Sequence, residues 1–426
     1  MLIEFSVANF RSIRNEVRFS MVAGSGKELW ETNVAIPDTV RPTRALPLVR
    51  SAALYGPNAG GKSNLIRALS EMKHFVTTSN QQLDEIPVTP FRFSKATVRE
   101  PCVFEVLIHH GNVRYQYGFA ATRGEVHEEW LFAFPKGRAQ TWFHRELNPD
   151  TGEHEYQFGD KLTGDKDVWR RATRPNALFL STAVQLNSKQ LQPVFDWFAQ
   201  KLHIVGVGGL MPHFSMQWCQ DNRKERVLEF LKAADFAISD LQVEEEDFSS
   251  EAIPTDVPAE IRSFLSREFK DKKQLRLYTS HQSDSGDAVQ LELGEESDGT
   301  QKMFSFAGPW LDSLEKGNVL FIDELHDNLH PLLVRFLVGL FHSPTTNRNN
   351  AQLVFSTHET SILNQEIFRR DQIWFCERDD SQSTRLYPLS EFSPRKGVEN
   401  LERSYLAGRY GALPLLHELK DRFAEA

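Results

Sequence analysis

A chain of 426 residues with 40% hydrophobic and 25% charged positions has ordinary globular usage, enough for two or three compact units or for one core with a large insertion. Its net charge of −9, from 49 Lys and Arg against 58 Asp and Glu, argues against coating nucleic acid through bulk positive potential. The three cysteines, Cys102, Cys219 and Cys376, lie far apart without metal-ligand spacing, no stretch reaches membrane-spanning length, and the start Met1-Leu2-Ile3-Glu4-Phe5 carries an early acid. A soluble, cytoplasmic protein without a disulfide framework is expected.

In chain order, Ile3, Phe5 and Val7, then Val17, Phe19 and Met21, alternate as two antiparallel strands joined through Asn9-Phe10-Arg11-Ser12-Ile13-Arg14. Gly24 to Thr43 reads as a long loop. Ser51 to Tyr55 reads as a buried strand, Gly56 to Gly61 as a tight loop, and residues 63 to 76 as a helix with Leu65, Ile66 and Leu69 on one face. Strands dominate from Val88 to Trp130, beginning with Pro90-Phe91-Arg92-Phe93, and Gly111-Asn112 marks a hairpin. A further pair flanks the turn Asn148 to Gly152. From Asp165 to about Lys273 the spacing turns helical, as in Leu191-Val194-Phe195-Phe198 and Val227-Leu228-Phe230-Leu231, interrupted by the acidic run Glu244 to Asp247 and the loop Ile253 to Pro258. No heptad pattern persists, so no long coiled coil is expected. The last third alternates strands and helices as a largely parallel α/β lobe: Gln274 to Tyr278, Ala288 to Leu293, a helix from Gly299 to Leu314, Asn318 to Ile322, a helix from Pro331 to Phe341, Gln352 to Ser356 and Gln372 to Glu377.

Chemistry gathers at the strand ends. Gly56, four residues, then Gly61-Lys62-Ser63 has phosphate-cradle spacing, in which backbone N–H groups and a helix N-terminus face an anion. The nucleotide-contacting set is Gly56, Pro57, Asn58, Ala59, Gly60, Gly61, Lys62, Ser63 and Asn64, with Lys62 on the β- and γ-phosphates and the Ser63 hydroxyl on Mg²⁺. Val319 to Ile322 is an apolar strand that stops on Asp323, suited to hold Mg²⁺, and Glu324, suited to take a proton from attacking water. His358, at the polar end of Gln352 to Ser356, is placed to sense the γ-phosphate. Ser297-Asp298-Gly299-Thr300-Gln301 opens a helix, with Ser297 as its N-cap. Arg41, Arg44 and Arg50, and Arg170, Arg171 and Arg174, form small basic clusters of the kind that is usually solvated surface.

Taken in order, Gly56 to Ser63, Ser297 to Gln301, Val319 to Glu324 and His358 resemble the Walker A, signature, Walker B and switch histidine of ABC-type ATPase heads of the SMC and RecF kind. The resemblance covers essentially the whole chain. It implies an α/β fold in three parts: 1–164 with the P-loop and a β-rich lobe, 165–273 as a mostly helical insertion, and 274–426 with signature, Walker B and switch. It also implies ATP and Mg²⁺ as cofactors, and a homodimer in which Ser297 and Gly299 of one subunit close on the γ-phosphate held by the other. Asn328 to Pro331 takes the place of the D-loop. Neither Gln116 nor Gln185 has a spacing that marks it as the Q-loop glutamine.

More narrowly, Asn9 to Ser12, which adds Arg11 to the nucleotide-binding set, Gly56 to Ser63, Glu296 to Thr300 and Ser404 to Pro414 resemble the small ABC ATPases of bacterial abortive-infection and anti-phage operons, the broad group to which the ATPase of the PARIS system belongs. That resemblance implies a neighbouring nuclease or toxin effector, often of TOPRIM type, a phage-derived trigger and no membrane. The chain carries no nuclease motif of its own. The alternatives are a RecF-like DNA-binding ATPase of repair or chromosome maintenance, and the energising subunit of a transporter, which the large insertion does not suit.

Overall fold

The computed structural model describes residues 1–37, 46–81, 85–206, 210–247, 273–395 and 397–414. The chain divides into two compact units, one of Met1–Gly208, Ser313–Asp327 and Val334–Ala426, the other of Gly209–Asp312 and Asn328–Leu333.

The first unit contains a six-stranded sheet in the order Leu202–Val205, Val319–Ile322, Gln352–Ser356, Ser51–Tyr55, Ile373–Arg378, Thr384–Pro388. The first five strands are parallel and the last is antiparallel. Ser51–Tyr55, Val319–Ile322 and Gln352–Ser356 are buried at every position, which is why they read as unbroken apolar runs rather than alternations. A seven-stranded antiparallel sheet runs His154–Phe158, Gln140–Leu147, Val126–Phe134, Val113–Ala121, Cys102–His110, Leu2–Ala8, Val17–Ser20. The helix Lys62–Thr78 buries Leu65, Ile66, Leu69, Met72 and Phe75 in one core shared with both sheets. Phe75 meets Phe119 edge-on at 5.3 Å, and Phe119 packs on Phe104 at 5.2 Å.

Inside this unit Glu129 and Arg145 are fully buried with a 3.6 Å separation. The Glu129 carboxylate accepts from the Phe179 and Leu180 N–H groups at 2.6 and 3.0 Å, and Arg145 donates to the Ala177 carbonyl at 2.6 Å. Burial raises the Glu129 pKa and the Arg145 charge opposes the rise. The pair fixes the start of helix Phe179–Gln185 to the antiparallel sheet.

The second unit is built on a three-stranded antiparallel sheet, Asp240–Asp247, Lys273–Gln282 and Ala288–Glu292, with helices His213–Trp218 and Lys224–Ala233. Helix Asp298–Lys316 begins in it, and its residues from Ser313 belong to the first unit.

Three sequence expectations are corrected. Pro90 to Phe93 is not a strand: Phe91 N–H donates to the Asn9 side chain at 3.0 Å and the Phe91 carbonyl accepts from Thr97 Oγ1 at 2.8 Å, so side chains take the bonds a sheet neighbour would take. The stretch after Gly24 holds a helical turn, Trp30–Asn33, and a short strand, Val34–Ala35, paired with Leu48–Val49, while 38–43 lie outside the described residues. The acidic run Glu244 to Asp247 is part of a strand, because basic residues of Lys273–Gln282 answer it: Glu245 pairs with Lys273 at 3.0 Å and Glu246 with Arg276 at 2.9 Å. The loop Ile253 to Pro258 lies outside the described residues.

Candidate nucleotide-binding site

The phosphate loop leaves the centre of the six-stranded sheet. Gly56 has φ 147°, and a Cβ there would stand 2.1 Å from the Cys376 carbonyl oxygen. Gly61 has φ 108°, and its Cβ would meet Thr384 Oγ1 at 2.1 Å. Both conformation and space therefore require glycine at these two positions. Helix Lys62–Thr78 starts directly at Gly61 without a side-chain cap, which leaves its first N–H groups for an anion. Lys62 is buried to 6% exposure and its Nζ donates to the Gly56 and Pro57 carbonyls at 2.7 and 3.1 Å. Burial lowers the Lys62 pKa, and the nearby acids Asp323 and Glu324 act the other way.

The acidic strand ends beside the loop. Asp323 N–H donates to the Val205 carbonyl at 2.9 Å, and Glu324 takes a left-handed conformation, φ 56°. One hydroxyl ties both acids: Ser356 Oγ donates to Asp323 Oδ1 at 2.5 Å and accepts from the Glu324 N–H at 2.8 Å. Two residues on, His358 Nε2 lies 3.2 Å from Lys62 Nζ. Burial and the Lys62 charge pull the His358 pKa down to about 4, so the ring is neutral and its Nε2 accepts from the ammonium. His326 stands edge-on to it, ring centroids 5.5 Å apart. The Ser63 hydroxyl and the Asp323 carboxylate offer oxygen donors alone, the donor type that Mg²⁺ takes.

The turn Asn9 to Ser12 reaches the same helix start. Asn9 and Arg11 have φ 51° and 50°, and Ser12 Oγ accepts from Asn64 Nδ2 at 2.7 Å and bonds Thr384 Oγ1 at 2.8 Å. The Arg11 guanidinium lies over the Phe10 ring, 5.5 Å from its centroid. Gln116 is committed to Glu105 at 2.9 Å on the antiparallel sheet, and Gln185 ends helix Phe179–Gln185.

Ser297 and Gly299 stand in the second unit. Ser297 Oγ accepts from the Thr300 N–H at 3.2 Å, as an N-cap does; Ser297 is exposed and Gly299 half-buried. The helix they open contains Pro309, which leaves the Ser305 carbonyl without its helical donor. Ser215 supplies a donor: its Oγ donates to the Ser305 carbonyl at 3.2 Å and accepts from the Gly308 N–H at 2.9 Å.

Thus Gly56 to Asn64, Asp323, Glu324 and His358 meet at neighbouring parallel strand ends, with Arg11 carried on a turn bonded to them. Ser356, Thr384 and Ser215 carry no motif in sequence; only the pairing of Ile322 with Phe355 predicts that Ser356 falls opposite Asp323. Of the basic clusters, Arg50 is buried against Asn347 and Asn350, Arg174 donates to the Ser79 carbonyl, and Arg41 and Arg44 lie outside the described residues. The C-terminal tyrosines pack rather than protrude: Tyr405 and Tyr410 stack on Phe375 at 5.4 and 5.7 Å, and Tyr405 reaches Tyr55 at 6.0 Å.

The family model described as "AAA domain, putative AbiEii toxin, Type IV TA system" matches residues 51–364. No curated protein matches the chain. Among solved structures it is similar to an SMC head domain from Thermotoga maritima, at 13% identity and TM-score 0.38, covering 91% of this chain and 98% of that one. A second is an Smc head bound to the C-winged helix domain of ScpA, at 11% and 0.41, covering 91% and 97%. A third is an Smc head with an extended coiled coil bound to the C-terminal domain of ScpA derived from Pyrococcus furiosus, at 12% and 0.35, covering 91% and 96%.

Proposed function

The chain belongs to that AAA-domain family, and from this membership we propose that it binds ATP with Mg²⁺, hydrolyses it, and uses nucleotide-driven pairing of two copies to control a separate effector in anti-phage defence. The observation that carries the reading is the convergence of Lys62, His358, Asp323 and Glu324 at the loop-bearing ends of adjacent parallel strands, with Ser356 holding both acids.

On this reading the Gly56 to Ser63 backbone and the helix start bind the phosphates, and Lys62 leaves the loop carbonyls for the β- and γ-oxygens. Mg²⁺, when bound by Ser63 and Asp323, supplies positive charge to the transferring phosphoryl group. Glu324 orients the attacking water and accepts its proton. His358 exchanges its acceptor role toward Lys62 for contact with the γ-phosphate, which makes it a reporter of the triphosphate. Ser297 and Gly299 of a second copy close over that phosphate, and the paired form engages or releases a nuclease or toxin partner.

Titration with a fluorescent ATP analogue tests the first step. Lys62→Ala is expected to weaken binding by about 100-fold, as loss of a charge-assisted, partly buried contact does. Unchanged affinity would overturn the site assignment. Copurification with neighbouring gene products, with and without ATP, tests the effector. Nucleotide-dependent capture of a nuclease or toxin supports the reading, whereas ATP-dependent, salt-sensitive binding of duplex DNA by the lone protein supports the RecF-like alternative.

A further inference from the structure

We propose that His281 and Glu296 form a clamp that sets the position of the signature serine, which makes His281 a positioning residue for the pairing of two copies on ATP; this rests on the reading above. Glu296 directly precedes Ser297, and its side chain is only 9% exposed. Its Oε1 accepts from Thr279 Oγ1 at 2.5 Å and lies 2.6 Å from His281 Nε2. Thr279 and His281 are two residues apart on Lys273–Gln282, the central strand of its sheet, so both side chains stand on one face.

The other ring nitrogen is anchored too. His281 Nδ1 lies 3.1 Å from the Ala237 carbonyl, which only accepts, so Nδ1 carries hydrogen. Its Nε2 contacts the Glu296 carboxyl group, so the ring bridges the Ala237 carbonyl and the residue before Ser297. The main chain of Glu296 is held as well: its N–H donates to the Leu293 carbonyl at 3.2 Å and its carbonyl accepts from Gln301 Nε2 at 2.8 Å.

None of this is needed to start the helix, because Ser297 Oγ already caps it through the Thr300 N–H. A nearly buried carboxylate is a costly way to fill space, and an apolar side chain serves packing as well. The clamp gives stiffness instead. It couples the residue before Ser297 to the middle of a sheet, and a group that must meet a phosphate on another copy has to be held to within about 0.5 Å.

The test uses the full chain and compares the parent with His281→Ala and His281→Gln, the latter keeping an N–H near the Nε2 position. ATP affinity is measured with a fluorescent analogue at protein concentrations too low for pairing, and ATP-driven association by sedimentation. His281→Ala is expected to bind ATP within about twofold of the parent and to associate at least about tenfold more weakly, with His281→Gln recovering to within about threefold. Parent-like association of His281→Ala would overturn the clamp and leave the pairing reading standing. A parent that does not associate on ATP would overturn that reading and the clamp with it. If His281→Ala does not fold, Glu296→Gln keeps an oxygen for Thr279 and drops the charge. It is expected to associate at least about threefold more weakly, and parent-like association would again overturn the clamp.

Discussion

At the scale of single residues, the site depends on which polar groups are kept neutral or charged by burial. His342 is buried beneath the loop-bearing strand, where its Nε2 accepts from the Ser51 hydroxyl at 2.7 Å, and burial pulls its pKa down to about 3. His358 is pulled to about 4. An unfolded chain has these rings near 6.5, so below that pH it binds protons that the fold refuses, and stability falls with pH. The contribution is intact above pH 6.5 and is lost as the pH drops towards 4 and below. The midpoint of thermal unfolding is expected to fall between pH 7 and pH 4.5, and to fall less steeply in His342→Gln, which keeps an acceptor for Ser51. Equal slopes in the two proteins would contradict this account. Lys62, Asp323, Glu324 and His358 are legible in the sequence because each ends an apolar run or follows a glycine pattern. Ser356 and Thr384 are not, because a hydroxyl has no periodicity and its partner is set by register across strands.

Among the elements, the helix Asp298–Lys316 carries a proline in its interior. Proline at 309 removes one rung of the ladder, and Ser215 Oγ donates to the freed Ser305 carbonyl and accepts from the Gly308 N–H. A Cβ on Gly308 would meet Phe214 Cδ1 at 2.9 Å, so the inserted segment passes as close as a glycine permits. The far end is tied down separately, with Lys201 Nζ on the Lys316 carbonyl at 2.7 Å and Asn349 Nδ2 on the Glu315 carbonyl at 2.7 Å. Ser215→Ala strands a buried N–H and a buried carbonyl, and is expected to cost about 1–3 kcal/mol in urea unfolding. An unchanged midpoint would mean that water or a relaxed helix satisfies both groups. The helix itself is legible from its spacing and the Ser297 cap, but the contact with Ser215 is not, since that residue lies far away in the chain. The strand Asp240–Asp247 escapes notice for a related reason: a run of acids reads as a loop until the basic strand opposite is known.

For the molecule as a whole, the strand, glycine loop and helix around Gly56 to Ser63 fix the class of fold, and family membership over 51–364 agrees with it. Gly56 to Ser63, Asp323, Glu324 and His358 lie in one compact unit, and Ser297 and Gly299 lie in the other. Parallel order is foreseeable because buried strands separated by helices have few other solutions. The three-stranded sheet is less so: strands at Gln274 to Tyr278 and Ala288 to Leu293 are expected, but as part of a largely parallel lobe, whereas they pair antiparallel, with the polar strand Asp240–Asp247 as the third member.

The most direct test of the central claim is the Glu324→Gln variant, assayed for single-turnover ATP hydrolysis and for its oligomeric state by light scattering. Loss of hydrolysis by about 100-fold or more, with ATP retained and a dimer accumulating, is the predicted result, because general-base catalysis is removed while the phosphate loop is intact. Hydrolysis at the parent rate would contradict the assignment of Glu324 and, with it, the reading of this strand end as the catalytic edge.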